Sequence, residues 1–245
     1  MILNKIIESK KQDLAKLPKI SRENLKKSPK DFMEIFQKPF VVIGEIKSKS
    51  PSEGVICADF DPISIAKSYE KAGVDALSVL TDEPFFGGSF EVLEAASEAV
   101  ALPAMCKEFI IDEQQILHAR ASGAAACLLI VRILSDEQLK GFRELIESLG
   151  MTALVEVFDE QDTERAIASG AKLIGINNRD LDTLEMDTKN AARIKPLIPE
   201  GIPVLSLSGV KTPDELQTLK NQFEGVLIGT ALMRSENPGD FLSSL

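Results

Sequence analysis

The sequence predicts an α/β fold in which eight parallel strands alternate with helices and close into a (β/α)8 TIM barrel, with extra N-terminal helices. Three observations predict it. Eight short apolar runs alternate with segments of helical period along the chain. A glycine-centred helix stop recurs about every fifty residues, the length of two strand–helix units. No GxGxxG follows the first apolar run and no GxxxxGK[ST] occurs, which weighs against the rival, an open doubly wound sheet.

The elements follow in order. Residues 2–17 carry Ile2, Ile6, Leu14 and Leu17 among lysines. That is an amphipathic helix pattern running from Met1, and it lacks the continuous apolar core of a signal peptide. Residues 31–37 form a second helical stretch, and together the two make an N-terminal helical extension over residues 1–38. Strands are predicted at 40–47, 76–81, 104–108, 126–131, 153–157, 173–177, 204–207 and 225–228. Between them, 63–72, 112–122, 136–149, 159–169 and 213–221 read as helices, with Pro213 after Thr212 as a start signal. Ala72-Gly73-Val74, Ser122-Gly123-Ala124 and Ser169-Gly170-Ala171 each end a helix and open a strand, and Glu224-Gly225-Val226 repeats the theme less closely. Residues 240–245 are short for a closing helix, so a lightly packed end is expected. With no linker or low-complexity stretch, residues 1–245 read as a single (β/α)8 barrel domain.

Composition narrows the function. A chain of 245 residues, 44% hydrophobic and 27% charged, is an ordinary globular protein with ample material for a core. A formal net charge of −10 disfavours non-specific binding to nucleic acid or acidic membranes, but leaves room for a local basic pocket that takes an anionic small molecule. The odd set of cysteines, Cys57, Cys106 and Cys127, has no CxxC spacing and reads as reduced, hence cytoplasmic. Cys106 and Cys127 sit in strand runs as small core residues. No apolar run approaches a membrane span. The single histidine, His118, lies mid-helix, away from any strand end, and reads as structural. Catalysis must then run on lysine and glutamate.

The strand ends supply both. Val41, Ile43, Glu45 and Lys47 share one strand face, so two opposite charges follow core residues on the inward side. Such charges are costly unless they pair or meet a ligand. Ser50 lies in the Ser-Pro-Ser turn that follows. Lys107 has the parity of Met105, and Glu156 that of Leu154. The sixth strand ends in Asn177-Asn178-Arg179, the seventh leads to Ser208-Gly209 and the eighth to Gly229-Thr230. Each has an ordinary reading taken alone: a solvated lysine, an Asn turn, a helix cap. Jointly, on one parity and at ends that a barrel brings to one face, they predict an active site. Gly209, Gly229 and Thr230 suit the phosphate site that barrels build after their last two strands, with 231–233 as a short extra helix and Ser50 in reach.

Over essentially its whole length the chain resembles the indole-3-glycerol phosphate synthase family of tryptophan biosynthesis. The matching stretches are Glu45-Ile46-Lys47-Ser48-Lys49-Ser50-Pro51-Ser52, Ser78 to Asp82 with Phe86, Gly88 and Ser89, Cys106 to Asp112, Leu154 to Val157, Gly175 to Leu181, Ser208-Gly209-Val210 and Ile228 to Met233. The first and the Gly-Ile-Asn-Asn-Arg-Asp-Leu stretch are the specific ones. The resemblance implies a phosphorylated aromatic amino-sugar as substrate, 1-(2-carboxyphenylamino)-1-deoxyribulose 5-phosphate. It implies indole-3-glycerol phosphate, carbon dioxide and water as products, and neither cofactor nor metal. Lys107 is then the general acid and Glu156 the general base. Lys47 pairs with the substrate carboxylate and helps expel the hydroxyl, Glu45 holds the lysine geometry, and Asn177 bonds sugar or carboxylate oxygens. Arg179 meets an anionic group. Phe86, Phe109 and Leu128 cradle the ring, although for Leu128 plain core packing is an equal reading. Beyond that small-molecule substrate no partner is expected, neither nucleic acid nor membrane, and the protein should be a monomer or weak oligomer.

Two positions depart from the family pattern. Leu207 stands where a glutamate usually precedes the Ser-Gly of the seventh strand, and Glu108 follows the strand-three lysine in place of aspartate. Two other readings stay open. A phosphoribosyl isomerase-type barrel normally uses an Asp or Cys pair, and the lysine pair speaks against it. A catalytically impaired phosphate-binding barrel, kept as a binding partner, is favoured by Leu207.

Overall fold

Strands β1 (Val41–Ile46), β2 (Ala76–Leu80), β3 (Ala104–Lys107), β4 (Ala126–Ile130), β5 (Thr152–Val157), β6 (Ile174–Asn177), β7 (Val204–Leu207) and β8 (Gly225–Ile228) pair in parallel around a closed ring in the computed structural model, which describes residues 2–28, 30–243 and 245. The ring closes through β1, where Val42 is the partner of Val226 on one side and Glu45 of Ser78 on the other. Every predicted strand is present to within one residue at either end. Lys47, Thr81, Glu108 and Val131 fall just past the ladders, in the loops that form the top of the barrel.

Ten α-helices follow the first strand among the described residues: α2 (Pro62–Ala72), α3 (Glu83–Phe86), α4 (Phe90–Ala99), α5 (Glu113–Ala121), α6 (Asp136–Ser148), α7 (Glu160–Ala168), α8 (Asn190–Ile194), α9 (Pro213–Lys220), α10 (Thr230–Met233) and α11 (Pro238–Leu242). Their starts are set by side chains. Asp61 accepts from Ile63 N and Ser64 N, and Asp112, Ser135 and Thr212 form reciprocal capping boxes with Gln115, Gln138 and Glu215. The closing end is better packed than its length suggests. Pro238 and Leu242 of α11 are buried, and the helix lies against α2.

Strand parity divides the core in two. Ile43, Met105, Leu128, Leu154, Leu205 and Leu207 fill the interior of the barrel. Val42, Val79, Cys106, Cys127, Val155 and Val226 face the helices outside. Cys106 and Cys127 are thus buried core residues, as their context indicates.

The N-terminal extension is a strap. Helix α1 (Ile2–Leu14) stops three residues short of its predicted end, and Met1 of that pattern lies outside the described residues. Leu3 and Ile6 join the interior cluster. The chain then descends along the outside of the barrel. Pro18 O meets His118 Nε2 at 2.7 Å, Ile20 N donates to Gln114 Oε1, and Ser28 N donates to Leu149 O. His118 is a structural contact of this strap. Residues 31–37 form a 3-10 helix, Phe32–Gln37, rather than an α-helix, with Asp31 accepting from Met33 N. Phe32, completely buried in the interior cluster, is joined to the start of β1 by only a few residues, so it closes the bottom of the barrel.

Removing a fully buried phenylalanine costs about 3–5 kcal/mol. We expect Phe32→Ala to lower the unfolding free energy by that amount in denaturant titrations, with steady-state constants little changed wherever the variant is folded.

Candidate active site

The loops above the strand ends enclose a cavity of about 580 Å³. All fourteen residues singled out in the sequence line it: Glu45, Lys47, Ser50, Phe86, Lys107, Phe109, Leu128, Glu156, Asn177, Arg179, Ser208, Gly209, Gly229 and Thr230. Parity explains the gathering. Glu45, Lys107, Glu156 and Asn177 each end the inward-facing side of a strand, one layer above the interior leucines.

Charge is paired across this layer. Lys47 Nζ donates to Glu45 Oε1. Lys107 Nζ lies 3.4 Å from Glu156 Oε2. Glu156 is buried, and its other oxygen accepts from Asn177 Nδ2 at 3.0 Å. Asn177 Oδ1 in turn accepts from Arg179 N at 3.0 Å. Both ends of the Asn177 amide are therefore engaged by protein. The amide thereby orients the Glu156 carboxylate. Burial pushes the Glu45 carboxyl up, but Lys47, Lys107 and Arg179 together outweigh it and hold the group below the usual carboxylate range.

The sixth strand's exit is built as a rigid frame. Asn178 Nδ2 donates to Ser206 Oγ and to Ser208 O, both at 3.1 Å, and Asn178 Oδ1 accepts from Ala191 N. This bridge holds Ser208 at a left-handed φ of 65°, a strained conformation of the kind found at binding sites. Arg179 is held by Nη1 donating to Leu184 O.

The eighth strand's exit approaches the ion pair closely. A Cβ at Gly229 would lie 2.4 Å from Glu45 Oε1 and 2.7 Å from Lys47 Nζ, so any side chain there would push the ends of the pair aside. Short helix α10 follows, matching the predicted 231–233 segment. Phe86 and Phe109 form a tilted pair on one wall, centroids 6.0 Å apart. Leu128 is fully buried in the barrel interior and forms part of the floor. In the loop after β1, Ser50 Oγ accepts from Glu53 N, and Ser48 Oγ donates to Phe86 O and Gly87 O at 3.3 Å.

Sequence reasoning missed several walls. Ile6 of α1 lines the cavity, and so do Ile130, Lys211 and Arg234. Arg234 Nη2 reaches Glu53 Oε2 at 3.0 Å across the mouth. The amphipathic pattern of residues 2–17 signals a buried face without naming the surface it covers. Lys211 and Arg234 look like any solvated charge. Their positions beside Gly209 and Thr230 add cations to that corner of the cavity.

Leu207 takes its space from Gly175. A Cβ at Gly175 would lie 2.7 Å from Leu207 Cδ1 and 3.2 Å from Leu154 Cδ1, so the leucine lies over a bare stretch of β6. Lys47 and Lys107 each keep a glutamate beside them all the same.

The model of the indole-3-glycerol phosphate synthase family matches residues 3–245. An indole-3-glycerol phosphate synthase of Desulfotalea psychrophila is 43% identical over 256 aligned positions, covering 100% of this chain and 98% of the relative. One from Rippkaea orientalis is 47% identical over 211 positions, covering 83% of this chain and 72% of the relative. Among solved structures, KGPDC from Streptococcus mutans superposes with a TM-score of 0.62 at 15% identity, covering 83% of this chain and 93% of that one. At that identity the likeness speaks for the barrel fold alone.

Because Glu45 is held below its ordinary range, the stability it contributes is fully present above about pH 5 and is lost as pH falls through its folded value. Unfolding free energies measured against pH should show Glu45→Gln less stable than the unsubstituted protein near neutrality, with the gap closing in acid.

Proposed function

The chain belongs to the indole-3-glycerol phosphate synthase family, and from that premise we propose how its own residues carry the reaction. The protein is a carbon–carbon lyase of tryptophan biosynthesis. In the reading supported here, 1-(2-carboxyphenylamino)-1-deoxyribulose 5-phosphate enters with its phosphate at the turns after β7 and β8. The backbone N–H groups near Gly209 and Gly229 and the Thr230 hydroxyl receive it, with Lys211 and Arg234 beside them. Helix α10 has a single turn, so the side-chain cations carry most of the attraction. Phe86, Phe109 and the Leu128 floor receive the aromatic ring.

The ring carbon that bears the carboxylate must attack the sugar ketone. Lys107 donates a proton to the ketone oxygen as the carbon–carbon bond forms, which spares the intermediate a free alkoxide. The carboxylate then leaves as carbon dioxide, and its bonding electrons restore the benzene ring. Lys47 pairs with the carboxylate before it leaves. The new hydroxyl departs as water when an ammonium protonates it, and Glu156 takes the proton from the adjoining ring carbon, which completes the indole. The observation that carries this reading is the Lys107–Glu156 contact, an acid and a base 3.4 Å apart in one cavity, with Asn177 fixing the base.

We keep the expectation of a monomer or weak oligomer built as a single domain. Cys57, Cys106 and Cys127 are all free thiols, which supports a place in the reducing cytoplasm. Among the described residues no helix is long and apolar enough to cross a membrane.

Loss of a positioned general acid lowers rates by about 10²–10⁴-fold. We expect Lys107→Ala to reduce kcat by that factor in an assay following indole fluorescence, with an unchanged far-ultraviolet spectrum. Near-normal turnover would refute the assignment. Leu207 favours the impaired-barrel reading, and the paired cations oppose it. Leu207→Glu should therefore raise kcat less than threefold, whereas a tenfold gain would show that the native site lacks a needed carboxylate.

A further inference from the structure

Helix α1 places an ammonium group inside the protein. Lys10, whose side chain is 6% exposed, has Nζ 2.9 Å from Asp82 Oδ2, 3.4 Å from both oxygens of Glu108 and 3.5 Å from Asp13 Oδ2. Asp82 and Glu108 follow β2 and β3 and are themselves buried. Two carboxylates brought together in the interior need a cation. Burial pulls the Lys10 ammonium down, yet Glu108, Asp82 and Asp13 outweigh it and hold it above its ordinary value. Burial pushes Glu108 up, and Asp82 adds to that against the pull of Lys10.

The same carboxylates hold the loops of the site. Asp82 Oδ1 accepts from Phe85 N at 2.8 Å and caps α3, which carries Phe86. Glu108 Oε1 accepts from Phe109 N at 2.7 Å, and its other oxygen accepts from Thr81 Oγ1 at 2.9 Å. Glu108 directly follows Lys107. Ile6, one turn before Lys10, lines the cavity. A single ammonium therefore joins the loop that carries Phe86 to the loop that carries Phe109, and through Glu108 to the backbone of Lys107.

We propose that Lys10 is a positioning residue of the active site: its ammonium locks the loops after β2 and β3 together, so that Phe86 and Phe109 grip the substrate ring and Lys107 keeps its aim. This rests on the roles given above to Lys107, Phe86 and Phe109. Lys10 touches no reacting atom in this account. Its effect passes through Asp82 and Glu108, and small misplacements of a catalytic group are enough to slow a reaction severely.

The test is Lys10→Met, which keeps the apolar stem and removes the charge. We expect KM to rise at least fivefold and kcat to fall about tenfold, and amide exchange at Phe85 and Phe109 to speed up at least tenfold. Lys10→Arg, which keeps a cation, should recover most of the lost kcat/KM. Lys11→Met, on the exposed face of the same helix, should leave both constants unchanged. Kinetic constants of Lys10→Met within twofold of the unsubstituted protein, whatever happens to its melting temperature, overturn the proposal. So do unaltered exchange at the two amides, or an arginine variant no better than methionine. If Lys10→Met does not fold, Glu108→Gln decides: a threefold or larger rise in KM supports the proposal, and constants within twofold overturn it. Failure of the underlying reading shows separately, as full turnover in Lys107→Ala with Lys10 intact.

Discussion

Charge neutralisation at the top of the barrel is the constraint on which the rest of the structure depends. Directly below the site lie leucines and a methionine, a medium in which an isolated ammonium would shed its proton and an isolated carboxylate would acquire one. The Lys107–Glu156 contact, with Lys47–Glu45 beside it, sets a carboxylate against each of the two lysines in that setting. Asn177, Gly229 and the frame around Asn178 all follow from the need to hold these groups without filling the cavity.

Much of this was legible in the sequence, and for a physical reason. Side chains alternate strictly along a strand, so Lys107 had to share the face of Met105, and Glu156 that of Leu154, wherever the strands paired. A closed parallel ring then leaves only one place for those ends to meet. The strand bounds were equally clear, because buried strands read as apolar runs with glycine stops before them. What stayed hidden was long-range docking. Nothing local says that the Ile6–Lys10 face of α1 lies on the mouth, or that Phe32 closes the opposite end. The hairpin Lys49–Ser50 with Gly54–Val55 is too short to show a period. Lys211 and Arg234 carry no local sign that separates them from solvated charges. The hydrogen bond from Asn177 to Glu156 was equally hidden, because the two lie far apart in sequence.

Leu207 shows how a departure from a family pattern reads differently once its neighbours are known. In sequence, the missing carboxylate suggests a weakened site. In the structure, the leucine packs over Gly175 and beside Leu154, extending the apolar floor upward on one side, while Lys47 and Lys107 each retain a partner. Neither lysine depends on a third glutamate for a carboxylate partner. The change is one wall position in a chain 43% identical to a relative over its whole length, and the local packing accommodates it.

The most direct test of the account is a crystal structure with indole-3-glycerol phosphate bound. Density for the indole between Phe86, Phe109 and the Leu128 floor, with the phosphate at Gly209 and Thr230 and the former ketone carbon within reach of Lys107, is the predicted result. A product seated elsewhere, or turned so that this carbon lies away from both Lys107 and Glu156, would contradict it.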